Sequence, residues 1–312
     1  MEPITTLNLN ICRRMSTKVS PKLLLLILAV SLIAPLASCD EDEGGIANSG
    51  NGDEQDDSNG SDTDTTEQEY ELVWSDEFNY EGQPDTTKWN FEIGASGWGN
   101  NELQYYTDRL ENAEVSDSVL TITARKEDYK GAEYTSARMI TYENGHYWKY
   151  GRIEARIKLP EGQGIWPAFW MLGKNIFEGT TWPATGEIDI LEMIGGGENN
   201  SIVHGTAHWE ENGHTYQGGS HTHSEKLSNA FHTYAIEWNR EQILWFFDGE
   251  QYYSLSIYQD PAKSELHAPF FILMNIAVGG NWPGYPDETT EFPQTMKVDY
   301  VRVYQKGGGD SN

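Results

Sequence analysis

Cysteine is almost absent from this 312-residue chain, which has only Cys12 and Cys39, both ahead of the region with globular composition. A disulfide framework and a cysteine-based metal site are therefore excluded as supports of the fold. Lysine and arginine are also scarce, 21 against 49 aspartates and glutamates, giving a formal net charge of −28. Contacts with phosphates need a basic surface, so the composition argues against a nucleic-acid partner.

Long hydrophobic runs are missing as well, apart from one of about 14 residues near the N-terminus, Leu23–Leu36. A membrane-spanning helix needs about 20 apolar residues, whereas a signal-peptide core needs fewer and follows basic residues, as this run does. The run ends in Leu36-Ala37-Ser38-Cys39, which resembles a bacterial lipobox. We therefore expect residues 1–38 to be a lipoprotein signal peptide and Cys39 to carry the lipid. An ordinary signal peptide with an incidental cysteine is the alternative.

The segment after Cys39 contains about a dozen acidic residues between Asp40 and Glu69 and no lysine or arginine. It cannot bury enough apolar surface to fold, and its like charges favour an extended chain. Residues 39–68 are predicted to be a lipidated cysteine and disordered linker, followed by a catalytic domain at 69–306 and a disordered tail at 307–312. The first acidic residues resemble an export signal of surface lipoproteins in some Gram-negative bacteria. We therefore expect a cell-envelope protein anchored in the outer membrane, with the cell surface as one location.

Short apolar or alternating segments dominate the domain, and no window of 12 residues shows helical periodicity. They are rich in β-branched and aromatic residues and are separated by Gly, Asn, Asp and Pro. Asp248-Gly249 is a hairpin signal. The pattern predicts an all-β fold, a sandwich of two antiparallel sheets.

Three acids fall within one apolar segment, Gly186-Glu187-Ile188-Asp189-Ile190-Leu191-Glu192-Met193. Glu187 and Asp189 share a face of a strand, but Glu192 would lie on the opposite face of a regular strand. A β-bulge near Ile190-Leu191 would return Glu192 to that face. Clustered carboxylates push their pKa values apart, which suits the proton donor and nucleophile of glycosidic bond cleavage. An exposed acidic strand or a calcium site remains the alternative.

The acidic motif resembles the signature of glycoside hydrolase family 16 in its bulged form. The resemblance extends over about Leu72 to Tyr304, and its other supporting segments are Trp98–Thr107, Ser136-Ala137-Arg138, Gly164–Leu172 and Ala277–Gly284. It implies a concanavalin-like β-jelly roll with a concave substrate cleft and a retaining mechanism. By motif position Glu187 is the nucleophile, Glu192 the general acid/base, and Asp189 the residue that tunes the nucleophile.

Candidate sugar-binding residues follow from position and from the same resemblance. Trp166 and Trp170 share one face of a strand, and Trp282 lies in a Gly-Gly-Asn-Trp-Pro loop, where stacking on sugar explains an indole better than core packing does. The motif match adds Asn100, Arg138 and His208; a turn residue, a surface ion pair and a strand histidine are the alternatives. The neighbouring histidines match no zinc motif.

The resemblance also suggests a structural calcium at Asp299, with Glu77 as a weaker co-ligand, and no required cofactor. The expected substrate is β-1,3-glucan, cut internally by a monomeric enzyme of the laminarinase type. Mixed-linkage β-1,3-1,4-glucan is one alternative, although the bulged motif argues against it. A sulfated galactan is disfavoured by the acidic chain. A non-catalytic surface glucan-binding lipoprotein would need the aromatic cleft but not the three acids.

Overall fold

The computed structural model describes residues 69–307, so Cys39, the signal peptide, the linker and residues 308–312 lie outside the described part. Seventeen strands occur within residues 69–307, which confirms the prediction of an all-β fold. In chain order they are β1 Tyr70–Asp76, β2 Asn90–Phe91, β3 Gln104–Tyr106, β4 Ala113–Ser116, β5 Val119–Tyr129, β6 Ala132–Ser136, β7 Arg138–Ile140, β8 Gly151–Lys158, β9 Ile165–Gly173, β10 Glu187–Glu192, β11 Ile202–Glu210, β12 His214–Thr222, β13 His232–Trp238, β14 Gln242–Phe247, β15 Glu250–Ser256, β16 Phe270–Val278 and β17 Gln294–Lys306.

The strands form two sheets. The larger has the order β15-β14-β13-β8-β17-β5-β6-β3, with β1 joined to β17 and β4 to β5; the smaller has the order β12-β11-β10-β9-β16-β7-β2. Pairing is antiparallel except between β3 and β6, which run parallel. This pair departs from the expectation of purely antiparallel sheets. Parallel strands need a long crossover connection, and the segment between β3 and β6, which contains β4 and β5, is long enough to provide one.

The core lies between the sheets and follows the two-residue period of the strands. On β9, Ile165, Phe169 and Met171 belong to the main hydrophobic cluster, together with Ile153 and Val301 of the larger sheet. The even-numbered residues of β9 point the other way, toward the outer face of the smaller sheet. That outer face carries the candidate site.

The helices of the described part are short 3-10 segments, at Tyr142–Asn144, Lys174–Glu178, Gly197–Ser201 and Pro261–His267. The hairpin predicted at Asp248-Gly249 joins β14 to β15, with both residues at positive φ, 48° and 83°. Within residues 69–307, no helix combines the length and the apolar character needed to cross a membrane.

Candidate active site

Strand β10 is irregular at the point where the sequence predicts a bulge. Opposite β9, Asp189 pairs with Trp170 and Leu191 pairs with Phe169, so Ile190 is an extra residue. The register against β11 shifts between Asp189 and Glu192 as well. The extra residue brings Glu192 onto the face of Glu187 and Asp189, and all three line one cleft. The predicted bulge is thereby confirmed.

The three acids are largely withdrawn from solvent. The Asp189 side chain is 4% exposed and that of Glu187 is 18% exposed. His208 lies on β11 directly opposite Glu187, and its Nε2 is 3.0 Å from Asp189 Oδ2 and 3.7 Å from Glu187 Oε1. The residue that the resemblance suggested as a cleft histidine therefore contacts two of the acids.

Burial and mutual repulsion shift the ionisation of the acids. Burial, and then the charge of Asp189, raises the pKa of Glu187 to about 8, with His208 and Arg138 acting in the opposite direction. Burial raises the pKa of Asp189 as well. The pKa of Glu192 lies well above its ordinary value because of burial and the charges of both other acids. The three groups therefore share protons at neutral pH and cannot all ionise independently.

Three tryptophans fix the acids from different elements. The indole N–H of Trp166 donates to Glu192 Oε1 at 3.0 Å, and that of buried Trp245 donates to the backbone carbonyl of Asp189 at 2.8 Å. Trp182, from the loop before β10, lines the same cleft and lowers the pKa of Glu187. Hydrogen bonds to charged groups are stronger than those between neutral groups, so the Trp166 donor stabilises the ionised form of Glu192.

The cleft has a volume of about 810 Å³ and contains every substrate-binding residue that the sequence suggested. These are Asn100, Arg138, Trp166, Trp170, His208 and Trp282. Trp282 is 43% exposed and meets the Trp166 ring edge-on, with centroids 5.7 Å apart. Exposed indole faces in a concave site suit the C–H faces of sugar rings. The assignment of the tryptophans to the cleft rather than the core is consistent with this placement.

Arg138 forms an ion pair and also lines the cleft. Its guanidinium forms an ion pair with Glu92 and also lies over the rings of Trp98 and Trp170, 4.8 Å from each centroid. Its side chain is 12% exposed and faces the cleft. The ion pair therefore holds Arg138 in place among the aromatic rings instead of placing it on the outer surface.

Several cleft residues were not identified from the sequence. Asn275 accepts a hydrogen bond from Trp170 at 2.8 Å and donates one to Tyr106 at 3.1 Å. Glu102 accepts hydrogen bonds from Gln104 and Tyr106, and its pKa is raised by burial. Further polar and aromatic residues that line the cleft include Trp98, Trp182, His204, Thr206, His214 and Tyr216. Asn275 carried a signal, since it is the one polar residue in the otherwise apolar strand β16.

The residues suggested for calcium make other contacts. Both carboxylate oxygens of Glu77 accept hydrogen bonds from Arg302, at 2.9 and 2.8 Å, and Asp299 Oδ2 lies 2.7 Å from Arg156 Nη1. Carboxylates neutralised by arginine fit poorly as ligands of a hard cation. Calcium at Asp299 and Glu77 stays a prediction that these contacts do not support.

Ligand-capable atoms of three acids or histidines approach within 4.8 Å of one another at one place among residues 69–307, at Glu187, Asp189 and His208. The hydrogen bond between His208 and Asp189 accounts for this spacing. Because contacts among the three side chains already explain their spacing, we identify no metal ligands here.

Comparison with known proteins agrees with this geometry. The model of "Glycosyl hydrolases family 16" matches residues 98–302. A β-glucanase of Rhodothermus marinus is 47% identical over 258 residues, which cover 79% of this chain and 89% of the relative. The structure of the laminarinase from R. marinus superposes with a TM-score of 0.72 at 46% identity, covering 77% of this chain and 99% of that one. LamA of Z. galactanivorans, solved with laminaritriose and laminaritetraose, superposes with a TM-score of 0.67 at 38% identity. The match covers 75% of this chain and 98% of that one.

Proposed function

Because the chain belongs to glycosyl hydrolase family 16, we propose that it hydrolyses internal β-1,3 bonds of laminarin-type glucan, with Glu187 and Glu192 as the catalytic pair. The observation that carries this proposal is the bulged strand β10, which presents three carboxyl groups on the floor of a cleft walled by tryptophans. The two sheets of the domain form a jelly-roll sandwich, and the cleft crosses the outer face of the smaller sheet. Relatives named laminarinase support a β-1,3-glucan as the substrate class.

The surroundings of the two glutamates distinguish their roles. Burial and Asp189 raise the pKa of Glu187, but the charge of Arg138 opposes this shift, so Glu187 loses its proton before Glu192 does. Glu192 experiences the charges of both other acids, which favour its protonated form. An anionic Glu187 suits the nucleophile, and a protonated Glu192 suits the acid that assists departure of the leaving group.

The reaction then takes two steps. In the first, Glu192 donates its proton to the glycosidic oxygen as the Glu187 carboxylate attacks the anomeric carbon; the C–O bond to the leaving glucan breaks and a glycosyl ester forms. In the second, the Glu192 carboxylate removes a proton from water, whose oxygen attacks the same carbon and releases Glu187. Two inversions retain the anomeric configuration. No cofactor enters this cycle, because the two carboxyl groups and water supply every group required.

The charge of the cleft supports a neutral glucan over a sulfated galactan. Four carboxyl groups line it, those of Glu102, Glu187, Asp189 and Glu192, against the single guanidinium of Arg138. Such a site offers sulfate groups a single cationic partner and adds further negative charge as its acids ionise. The bulge favours the β-1,3 enzymes over dedicated mixed-linkage enzymes, which the resemblance associates with the version without the extra residue.

Reducing-end release by a purified form lacking residues 1–39 tests the proposal, with laminarin, barley mixed-linkage glucan and agarose compared side by side. Rapid release from laminarin that is lost in Glu187→Gln is the expected result. Preference for barley glucan would redirect the substrate to mixed linkages. Binding of laminarin without cleavage would favour the non-catalytic function.

We also propose that Cys39 carries a lipid that anchors the mature protein to the outer membrane, on the sequence evidence given above. Labelling cells with radioactive palmitate should mark the wild-type protein but not Cys39→Ala, which should partition into the aqueous phase of a detergent extraction. Equal labelling of both proteins would remove the lipobox interpretation. Protease treatment of intact cells then decides whether the domain faces outward.

A further inference from the structure

A second histidine connects the acids to the edge of the smaller sheet. His208 Nδ1 is 2.8 Å from His214 Nε2, while the opposite ring nitrogen of His208 is 3.0 Å from Asp189 Oδ2. The hairpin between β11 and β12 produces this arrangement, because His208 pairs with Tyr216 and His214 lies two residues before Tyr216. Residues two apart share a face, so His214 projects diagonally toward His208.

Aromatic contacts hold the His214 ring in place. Its centroid is 4.4 Å from that of Trp182 and 5.7 Å from that of Tyr216, with interplanar angles of 47° and 26°. Trp182 also lowers the pKa of Glu187, and His208 packs on the same tyrosine. The ring that contacts His208 is therefore supported by a residue that also affects the ionisation of the nucleophile.

The number of protons on the two imidazole rings decides which histidine donates in the hydrogen bond between them. A hydrogen bond between imidazoles needs one N–H and one lone pair. His208 Nε2 lies 3.0 Å from Asp189 Oδ2, and it can donate to that oxygen only when Nε2 carries a proton. A neutral His208 then has a lone pair on Nδ1, which must receive an N–H from His214. Burial and the proximity of His208 lower the pKa of His214, which favours a neutral donor.

We propose that His214 is a positioning residue that donates its Nε2–H to His208 and thereby keeps His208 in the tautomer that donates to Asp189. This assignment deepens the proposed function, on which its catalytic consequence rests. Through Asp189 and Glu187, the orientation of His208 affects formation of the glycosyl ester rather than the binding of distant sugar units. Loss of the donor should therefore lower kcat more than it raises KM.

Two substitutions separate hydrogen bonding from stacking. His214→Gln keeps an N–H donor at similar reach but removes the ring, whereas His214→Phe keeps a ring against Trp182 and removes the donor. We expect His214→Phe to lose about five- to tenfold in kcat on laminarin, the effect of one hydrogen bond, and His214→Gln to retain most of the rate. His221→Phe is the matched control, since His221 is on the same strand but stacks on Phe247 away from the cleft. Its rate should not change.

Long-range ¹H–¹⁵N spectra of the imidazoles give a readout that does not depend on turnover. His208 should be in the Nε2–H tautomer in the wild type and in His214→Gln, and should lose this single tautomer in His214→Phe. A wild-type His208 in the Nδ1–H tautomer, or a normal rate in His214→Phe with a slow His214→Gln, would overturn the proposal. If the wild type cleaves no glucan, the proposed function fails, and the spectra still decide the role of His214.

Discussion

The indole N–H of Trp166 donates a 3.0 Å hydrogen bond to Oε1 of Glu192, so a residue of the sugar-binding wall also contacts the proposed proton donor. This hydrogen bond stabilises the carboxylate form and lowers the pKa of Glu192 against the larger upward effect of burial. One side chain therefore links the binding of glucan to the ionisation of the acid.

Replacing Trp166 by phenylalanine should move the alkaline limb of the kcat/KM profile to higher pH. The variant keeps an aromatic ring but loses the donor, so the pKa of Glu192 rises and the acid stays protonated to higher pH. Trp170→Phe is the control, because the Trp170 indole donates to Asn275 and to no catalytic acid. An alkaline limb that moves equally in both variants, or only in Trp170→Phe, would contradict the argument.

Azide should distinguish the two glutamates. Truncation of each to alanine should lower turnover by roughly 10²–10⁴-fold. In Glu187→Ala the small anion can occupy the space of the nucleophile and attack once, which yields an α-glycosyl azide from an activated glucoside. In Glu192→Ala it can attack the glycosyl ester, which yields a β-glycosyl azide. Product configuration by NMR checks the assignment, and exchanged configurations would reverse the two roles.

The sequence could predict features that depend on spacing along one strand. The separation of Glu187, Asp189 and Glu192 violates the period of two by one residue, and this violation predicts a bulge near Ile190-Leu191. The structure has the extra residue at Ile190. The same period placed Trp166 and Trp170 on one face. Such relations are local, because side-chain direction alternates regardless of which strands are neighbours.

Features that depend on strand order could not be derived in this way. Asn275 meets Trp170 because β16 lies beside β9, although the two residues are 105 positions apart. His208 and His214 are only six positions apart, but their contact depends on the register of the hairpin, which the sequence analysis did not predict. The calcium suggestion at Glu77 overlooked Arg302, which is 225 positions away in the chain. Residues 105 or 225 positions apart are brought together by tertiary packing, which local patterns in a single sequence do not reveal.

Trp282→Ala should weaken binding without affecting the fold. Trp282 is 43% exposed on its loop and contacts Trp166 and His204 at the wall of the cleft. Removing one stacking face should raise KM for laminarin about tenfold, the equivalent of roughly 1.4 kcal/mol, with little change in Tm. Tyr258→Ala, which removes a ring that is 57% exposed outside the cleft, is the control. Equal KM values for both variants would exclude stacking at Trp282.

Asp189→Asn should make the protein more stable and less active, and the gain in stability should grow with pH. Burial raises the pKa of Asp189 above its ordinary value of 3.8, so the folded state holds a proton that the unfolded chain releases. The resulting stabilisation is fully present below pH 4 and is lost as pH rises through the folded pKa. Asparagine is neutral at every pH, and its carbonyl oxygen can still accept the hydrogen bond from His208 Nε2.

Wild type and Asp189→Asn should therefore melt at similar temperatures near pH 4, and the variant should melt at least about 4 °C higher at pH 8, since each kcal/mol moves Tm by roughly 2–4 °C in a domain of this size. Calorimetry across this range checks the difference, with Asp128→Asn at an exposed position of β5 as the control. A Tm gap that stays constant or narrows with rising pH would show that Asp189 does not hold a proton in the folded state. If the Tm difference widens with pH and the variant also loses turnover, the ionised Asp189 side chain destabilises the fold but is needed for the reaction.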